Sequence, residues 1–114
     1  MTDWLPDHKP PKEITGAEWL PDRLERLEEL AHLEPNWDSY QAEPPTEVAH
    51  RQTKTILYLL AHLDTKPPAL VPLVTGGYQL EWHDTHRSME VEIGPDGKIE
   101  GYFFNRENLD EQEF

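Results

Sequence analysis

No cysteine occurs among the 114 residues. A disulfide framework, a thiolate zinc site and a cysteine nucleophile are therefore excluded. The chain suits a reducing, cytoplasmic setting. Basic residues are scarce: ten lysines and arginines stand against 23 aspartates and glutamates, a formal net charge of −13. A surface this negative is repelled by DNA, RNA and anionic lipid and attracts cationic partners. Long apolar runs are missing, none approaching the roughly 20 residues of a membrane-spanning helix. Met1-Thr2-Asp3-Trp4 has neither the cationic segment nor the apolar core of a secretory leader. Glycine is sparse, and Gly76-Gly77 and Gly94-Pro95-Asp96-Gly97 have the spacing of turns, not of a phosphate-cradling loop. No G-x-S-x-G elbow is present.

Aromatic residues are well represented. Four tryptophans contribute to a hydrophobic content of 36%, and each such ring buries about 150–250 Å². A chain of this length makes one domain and hides about two-thirds of its surface.

Residues 1–15 are polar and proline-rich and read as an extended arm. Within the arm, Asp3-Trp4-Leu5-Pro6-Asp7 is nearly repeated as Glu18-Trp19-Leu20-Pro21-Asp22. In the second copy, proline at a first helical position predicts a helix from Pro21 to Leu33, with Asp22 near its positive end. Leu20, Leu24, Leu27, Leu30 and Ala31 form its apolar stripe. A loop with two aromatics follows, Asn36-Trp37-Asp38-Ser39-Tyr40. Thr46 then caps a second helix that runs to about Leu63, with Val48, Ile56, Leu59, Leu60 and Leu63 on its apolar face. After residue 69 the apolar period changes from 3.6 to 2. Leu70 to Val74 is an edge strand interrupted by Pro72. Tyr78, Leu80 and Trp82 alternate with polar residues, as do Met89, Val91 and Ile93. Pro95-Asp96-Gly97 is a hairpin with glycine in the left-handed position. Ile99 and Phe103 continue the inward set, and residues 105–114 are an acidic tail that frays. Residues 16–104 therefore form one α+β domain: two antiparallel helices packed on one face of a three- or four-stranded antiparallel meander.

The Asn36-Trp37-Asp38-Ser39-Tyr40 loop with Glu43-Pro44-Pro45, followed by Gly76-Gly77-Tyr78-Gln79-Leu80-Glu81-Trp82, resembles a group of small uncharacterised bacterial and phage proteins. That group has a W-D-x-Y-x-A-x-P-P loop and a G-G-x-Q-L-E-W strand. The likeness covers roughly residues 20–104 and implies a small α+β fold, with no activity and no site residues attached. Where the group usually has glycine, this chain has Gln41, so the loop turn is expected to differ.

The strand register can be worked out from burial. Inward residues must match across neighbours, which pairs Trp82 with Met89, Leu80 with Val91 and Tyr78 with Ile93. Glu81 then opposes Glu90, Gln79 opposes Glu92, and the Pro95-Asp96-Gly97 hairpin puts Glu92 opposite Glu100. These four carboxylates share one outward face, although like charges directly opposite each other are unfavourable. Arg87 and Lys98, at strand ends, are the cations placed to relieve them. Glu81, Glu90, Glu92 and Glu100 are the candidate residues for binding a basic protein surface. A solvated face without a partner remains open, as does a carboxylate cluster for Mg²⁺, Ca²⁺ or acid–base chemistry.

Trp37 and Tyr40 are further candidate partner contacts. The plainer reading folds both rings back onto the end of the core, with Asp38 and Ser39 holding the turn. His83-Asp84-Thr85-His86 is a turn without the i, i+4 spacing of a helical zinc motif. No catalytic residue, metal ligand or cofactor is assigned. The expected function is non-enzymatic: an acidic protein occupying a basic partner surface, such as an inhibitor of a defence or toxin protein that handles nucleic acid. A homo-oligomeric assembly module pairing through the edge near Pro72, and a metal-dependent enzyme using the sheet carboxylates, are the alternatives.

Overall fold

The computed structural model describes residues 15–105 and 110–113. The first Trp-Leu-Pro-Asp copy and all of the N-terminal arm except Thr15 lie outside those residues. Two helices precede a five-stranded antiparallel sheet, an α+β fold as expected. Among the described residues no helix is long and apolar enough to cross a membrane.

Helix α1 spans Gly16–Ala31, beginning before the expected start at Pro21. Its start is fixed by Thr15. The Thr15 hydroxyl accepts from the Glu18 amide at 3.3 Å, and the Glu18 carboxylate accepts from the Thr15 amide at 3.3 Å. This reciprocal pair satisfies two orphan donors of the first turn. Pro21 therefore lies inside the helix rather than at its head. The helix loses the amide that residue 21 would have offered to the carbonyl four residues back. Trp19 compensates by anchoring that turn: its ring is buried, and its Nε1 donates to the Thr65 carbonyl at 2.9 Å.

Helix α2 spans Glu47–His62 and is capped by Thr46, whose hydroxyl accepts from the Ala49 amide at 3.1 Å. Its buried residues are Ala49, Thr53, Leu57 and Ala61. The face expected from the large apolar residues is rotated away from the core. Val48, Leu59 and Leu63 stand exposed, while Ile56 and Leu60 pack at its margin. Close approach of the two helices explains the rotation. Gly16 sits directly against the Ala61 backbone, where a Cβ would collide with the carbonyl. Small side chains are required along that contact, and they displace the larger ones to the flank.

Strands β1 (Ala69–Pro72), β2 (Tyr78–His83), β3 (Arg87–Ile93), β4 (Ile99–Asn105) and β5 (Asp110–Glu113) form a meander in chain order. The fifth strand is an addition: residues 110–113, expected to fray, pair with β4. β1 is an edge ending at Pro72, as its proline predicts. Gly97 takes the left-handed conformation (φ 86°) in the β3–β4 hairpin. The inward rows carry Tyr78, Leu80 and Trp82 against Ile93, Val91 and Met89. Helix α1 packs on β1, and α2 packs on β2 and β3. The core between the layers holds Trp19, Leu27, Leu30, Leu57, Leu70, Tyr78, Leu80 and Ile93. Trp82 Nε1 donates to the Lys66 carbonyl at 2.9 Å, so two indoles pin the α2–β1 connection at successive residues. Burial, with a smaller contribution from the Glu28 charge, pushes the Tyr78 phenol up to about 12.

The Gly16–Ala61 contact gives a direct test. Gly16→Ala forces the two helices apart and is expected to destabilise the domain by about 1–3 kcal/mol. The loss is read as a lower urea midpoint.

Candidate functional site

The register that buries Tyr78, Leu80 and Trp82 turns Gln79, Glu81 and His83 to the opposite face. Glu81 lies opposite Glu90, Gln79 opposite Glu92, and Glu92 opposite Glu100. All three pairings are those expected from apolar alternation. β5 extends the face, with Glu113 opposite Tyr102 and Glu111 opposite Phe104. Two continuous cross-strand rows result: Val71, Gln79, Glu92, Glu100, and Ala69, Glu81, Glu90, Tyr102, Glu113. Apolar alternation marks Glu81, Glu90, Glu92 and Glu100 in the sequence; Glu111 and Glu113 have no such signal, because β5 lacks the apolar alternation that announces a strand. Tyr102 and Phe104 were recoverable, since they follow Glu100 at a period of two.

Neither lysine nor arginine occupies an outward position of the described strands. Arg87 lies on the inward set of β3, and its guanidinium donates to Asp84 Oδ2 at 3.2 Å. Desolvation works to raise the Asp84 carboxyl. The amides of Arg87 and His86 and the Arg87 guanidinium outweigh it and hold that carboxyl below its usual range. What relief the glutamates receive is local and carries no fixed positive charge. Gln79 Nε2 donates to Glu81 Oε2 at 3.1 Å, and His83 Nε2 lies 3.0 Å from Glu81 Oε1. The Tyr102 hydroxyl donates to Glu100 Oε2 at 3.2 Å. Neither Glu90 nor Glu92 has a side-chain partner among the described residues.

The Tyr102 phenol registers the field of this face. It is pushed up to about 12 by desolvation on the sheet, by its hydrogen bond to Glu100, and by the charges of Glu100, Glu113 and Glu92. Beside it lies a shallow depression of about 310 Å³ lined by Ser88, Glu90, Tyr102, Phe103, Phe104 and Glu111. Aromatic surface and carboxylates thus meet at the β3–β4 centre of the face, a combination that favours lysine or arginine side chains.

Trp37 and Tyr40 are not part of this face. Their loop joins α1 to α2 and is held to the β1–β2 turn, the Glu43 amide donating to the Val74 carbonyl at 2.8 Å. The rings do not plug the core. Tyr40 is 88% exposed and Trp37 half-buried, with Trp37 Nε1 donating to the Glu43 carbonyl at 2.7 Å. The residue that goes inside is Ala42. Asp38 holds the turn by accepting from the Tyr40 and Ala42 amides at 2.8 and 3.0 Å. The other clamp is Asn36, not Ser39: Asn36 Oδ1 accepts from the Gln41 amide at 2.7 Å. Asn36, Ser39 and Gln41 all have positive φ, at 65°, 66° and 69°. Gln41 thus takes the left-handed backbone that glycine adopts most readily. Side-chain acceptors satisfy the amides of this bent backbone and send Tyr40 outward.

Among the described residues no three histidine, aspartate or glutamate side chains are grouped to hold a metal ion. Comparison with protein-family models, with curated proteins and with solved structures found no match.

Two outcomes test the electrostatics of the face. Glu100→Gln should lower the Tyr102 titration from about 12 toward the ordinary 10.0, followed by NMR of ring-labelled tyrosine. Glu90→Lys replaces an opposed repulsion by an attraction and should stabilise the free domain by roughly 0.2–1 kcal/mol. That gain shrinks with added salt in urea titrations.

Proposed function

We infer that the outer sheet face is a docking surface for a cationic protein and that the chain acts by binding, not by catalysis. The observation that carries this reading is the pair of opposed positions, Glu81–Glu90 and Glu92–Glu100, on a face where no outward position of the described strands is lysine or arginine. A sheet surface that served only to stay hydrated would gain by interleaving signs. A lysine- or arginine-bearing partner converts the same repulsion into attraction, and it speeds encounter by steering. Tyr102 and Phe104 supply the aromatic centre typical of protein-binding hot spots.

The most concrete form is an inhibitor of a nucleic-acid-handling protein, such as a defence or toxin protein. Same-face carboxylates repeat at about 6.6–6.8 Å along a strand and about 4.7–4.9 Å across strands. Such an array presents acceptors to a groove of lysine and arginine built for a phosphate backbone. In this reading the partner covers Glu81, Glu90, Glu92 and Glu100. Tyr40 and Trp37 are contacted only if the partner wraps the strand ends.

The test is capture of a partner on the immobilised chain, followed by elution with salt and with duplex DNA. Both should release the partner. Glu81→Lys combined with Glu92→Lys should abolish capture while the domain stays folded by circular dichroism. Binding indifferent to salt and to DNA, or retained by the doubly reversed variant, overturns the reading.

A further inference from the structure

The outward side of β4 places two aromatic residues in succession. Glu100 is followed at a period of two by Tyr102 and Phe104, while Phe103 between them packs against the core. Side chains stand roughly perpendicular to a strand, so Tyr102 and Phe104 rise side by side about 6.8 Å apart. Neighbouring strands close the ends of the gap. Glu90 on β3 is the cross-strand partner of Tyr102, and Glu111 on β5 is the partner of Phe104. Ser88 flanks Phe104 from the β3 side. These residues line the depression of about 310 Å³ over β3, β4 and β5. Tyr102, Phe104 and Glu90 are half-buried, and Glu111 stands exposed at the rim. Neither Glu90 nor Glu111 has a side-chain partner among the described residues.

We propose that this depression is a slot for one arginine side chain of the partner, its guanidinium stacked between Tyr102 and Phe104. The proposal rests on the outer face being the docking surface, and it adds the residue that is read there. Thickness selects arginine. Carbon atoms in contact lie about 3.5–4.0 Å apart, so one flat group between two rings needs about 7–8 Å. Same-face neighbours on a strand, about 6.8 Å apart at the backbone, reach this with slight splay of the two side chains. The planar guanidinium stacks on aromatic faces and is weakly hydrated. A lysine ammonium is a compact, strongly hydrated point charge and gains less from a second ring. Charge selects the same group. The guanidinium carries its donors in a fixed fork, and the slot offers carboxylates from two different strands, Glu90 beside Tyr102 and Glu111 beside Phe104. Ser88 adds a hydroxyl acceptor. The Tyr102 hydroxyl is tied to Glu100 at 3.2 Å, which leaves the ring face for a ligand. A neutral or acidic side chain gains nothing from those carboxylates.

Hexa-arginine and hexalysine, equal in charge, are the probes, each titrated onto the full chain. Hexa-arginine should bind roughly fivefold more tightly, the size of an exposed cation–π contact. Its δ-methylene and Nε–H proton signals should move upfield, because they lie over two ring faces. Phe104→Leu should remove the excess affinity and part of the upfield movement, while hexalysine affinity stays unchanged. Circular dichroism checks that this variant is folded. The upfield movement on the unaltered chain needs no variant, so it decides the matter even where Phe104→Leu fails to fold. Equal affinity for the two peptides, binding of neither, an unshifted arginine spectrum, or an excess that persists in Phe104→Leu overturns the slot. Equal, salt-sensitive binding of both peptides removes the slot alone and leaves the outer face as the docking surface. Binding of both that survives Glu81→Lys combined with Glu92→Lys removes the outer face itself, and the slot with it.

Discussion

Inward burial on β2 and β3 sets the arrangement of the whole outer surface. Tyr78, Leu80 and Trp82 meet Ile93, Val91 and Met89 on the core side. A slip of one residue would expose that set, at about 1.5–3 kcal/mol for each large side chain. Opposed carboxylates on the other face cost only roughly 0.2–1 kcal/mol per pair. The apolar side wins by a wide margin, and Glu81 is held against Glu90 whether or not the two repel. The acidic face is thus a consequence of the core, maintained by residues on the opposite side of the sheet. Changes on it can alter charge without altering register.

This hierarchy explains why the sheet could be read from sequence and other parts could not. A period of two with large apolar residues leaves one solution for register, and the β2–β3–β4 pairings follow. Helix α1 starts ahead of its strongest local signal, Pro21. Thr15 and Glu18, three apart, form the capping box that overrides it. The face of α2 departs from the usual equation of large with buried because two backbones come close there. Gly16 against Ala61 selects Ala49, Thr53 and Ala61 for the interior. Strand β5 has no inward apolar residue to mark it and exists by pairing to β4. In the 36–42 loop, Asp38 was recognisable as a turn holder. The outward course of Tyr40 depends on three left-handed residues that no composition rule announces.

The two tryptophan pins give the fold its order of assembly in space. Trp19 comes from α1 and Trp82 from β2, yet their Nε1 atoms donate to the carbonyls of Thr65 and Lys66. The segment between the helical and the sheet layers is therefore clasped from both sides. Layer separation is set at that clasp, and among the described residues α1 and α2 pack on β1, β2 and β3. Among the described residues the outer and inner faces consequently have opposite characters, one crowded with carboxylates, the other apolar and roofed by helices over β1 to β3.

The margins of the sheet have a consequence of their own. One border ends in Pro72, which offers no amide for an incoming strand. The other is β5, where the exposed carboxylates of Glu111 and Glu113 resist a like-charged neighbour. Unprotected borders are where sheets of separate molecules fuse end to end into fibres. A protein that keeps a concentrated negative surface available must also avoid sticking to itself through that same sheet, and both rims are built to discourage such growth.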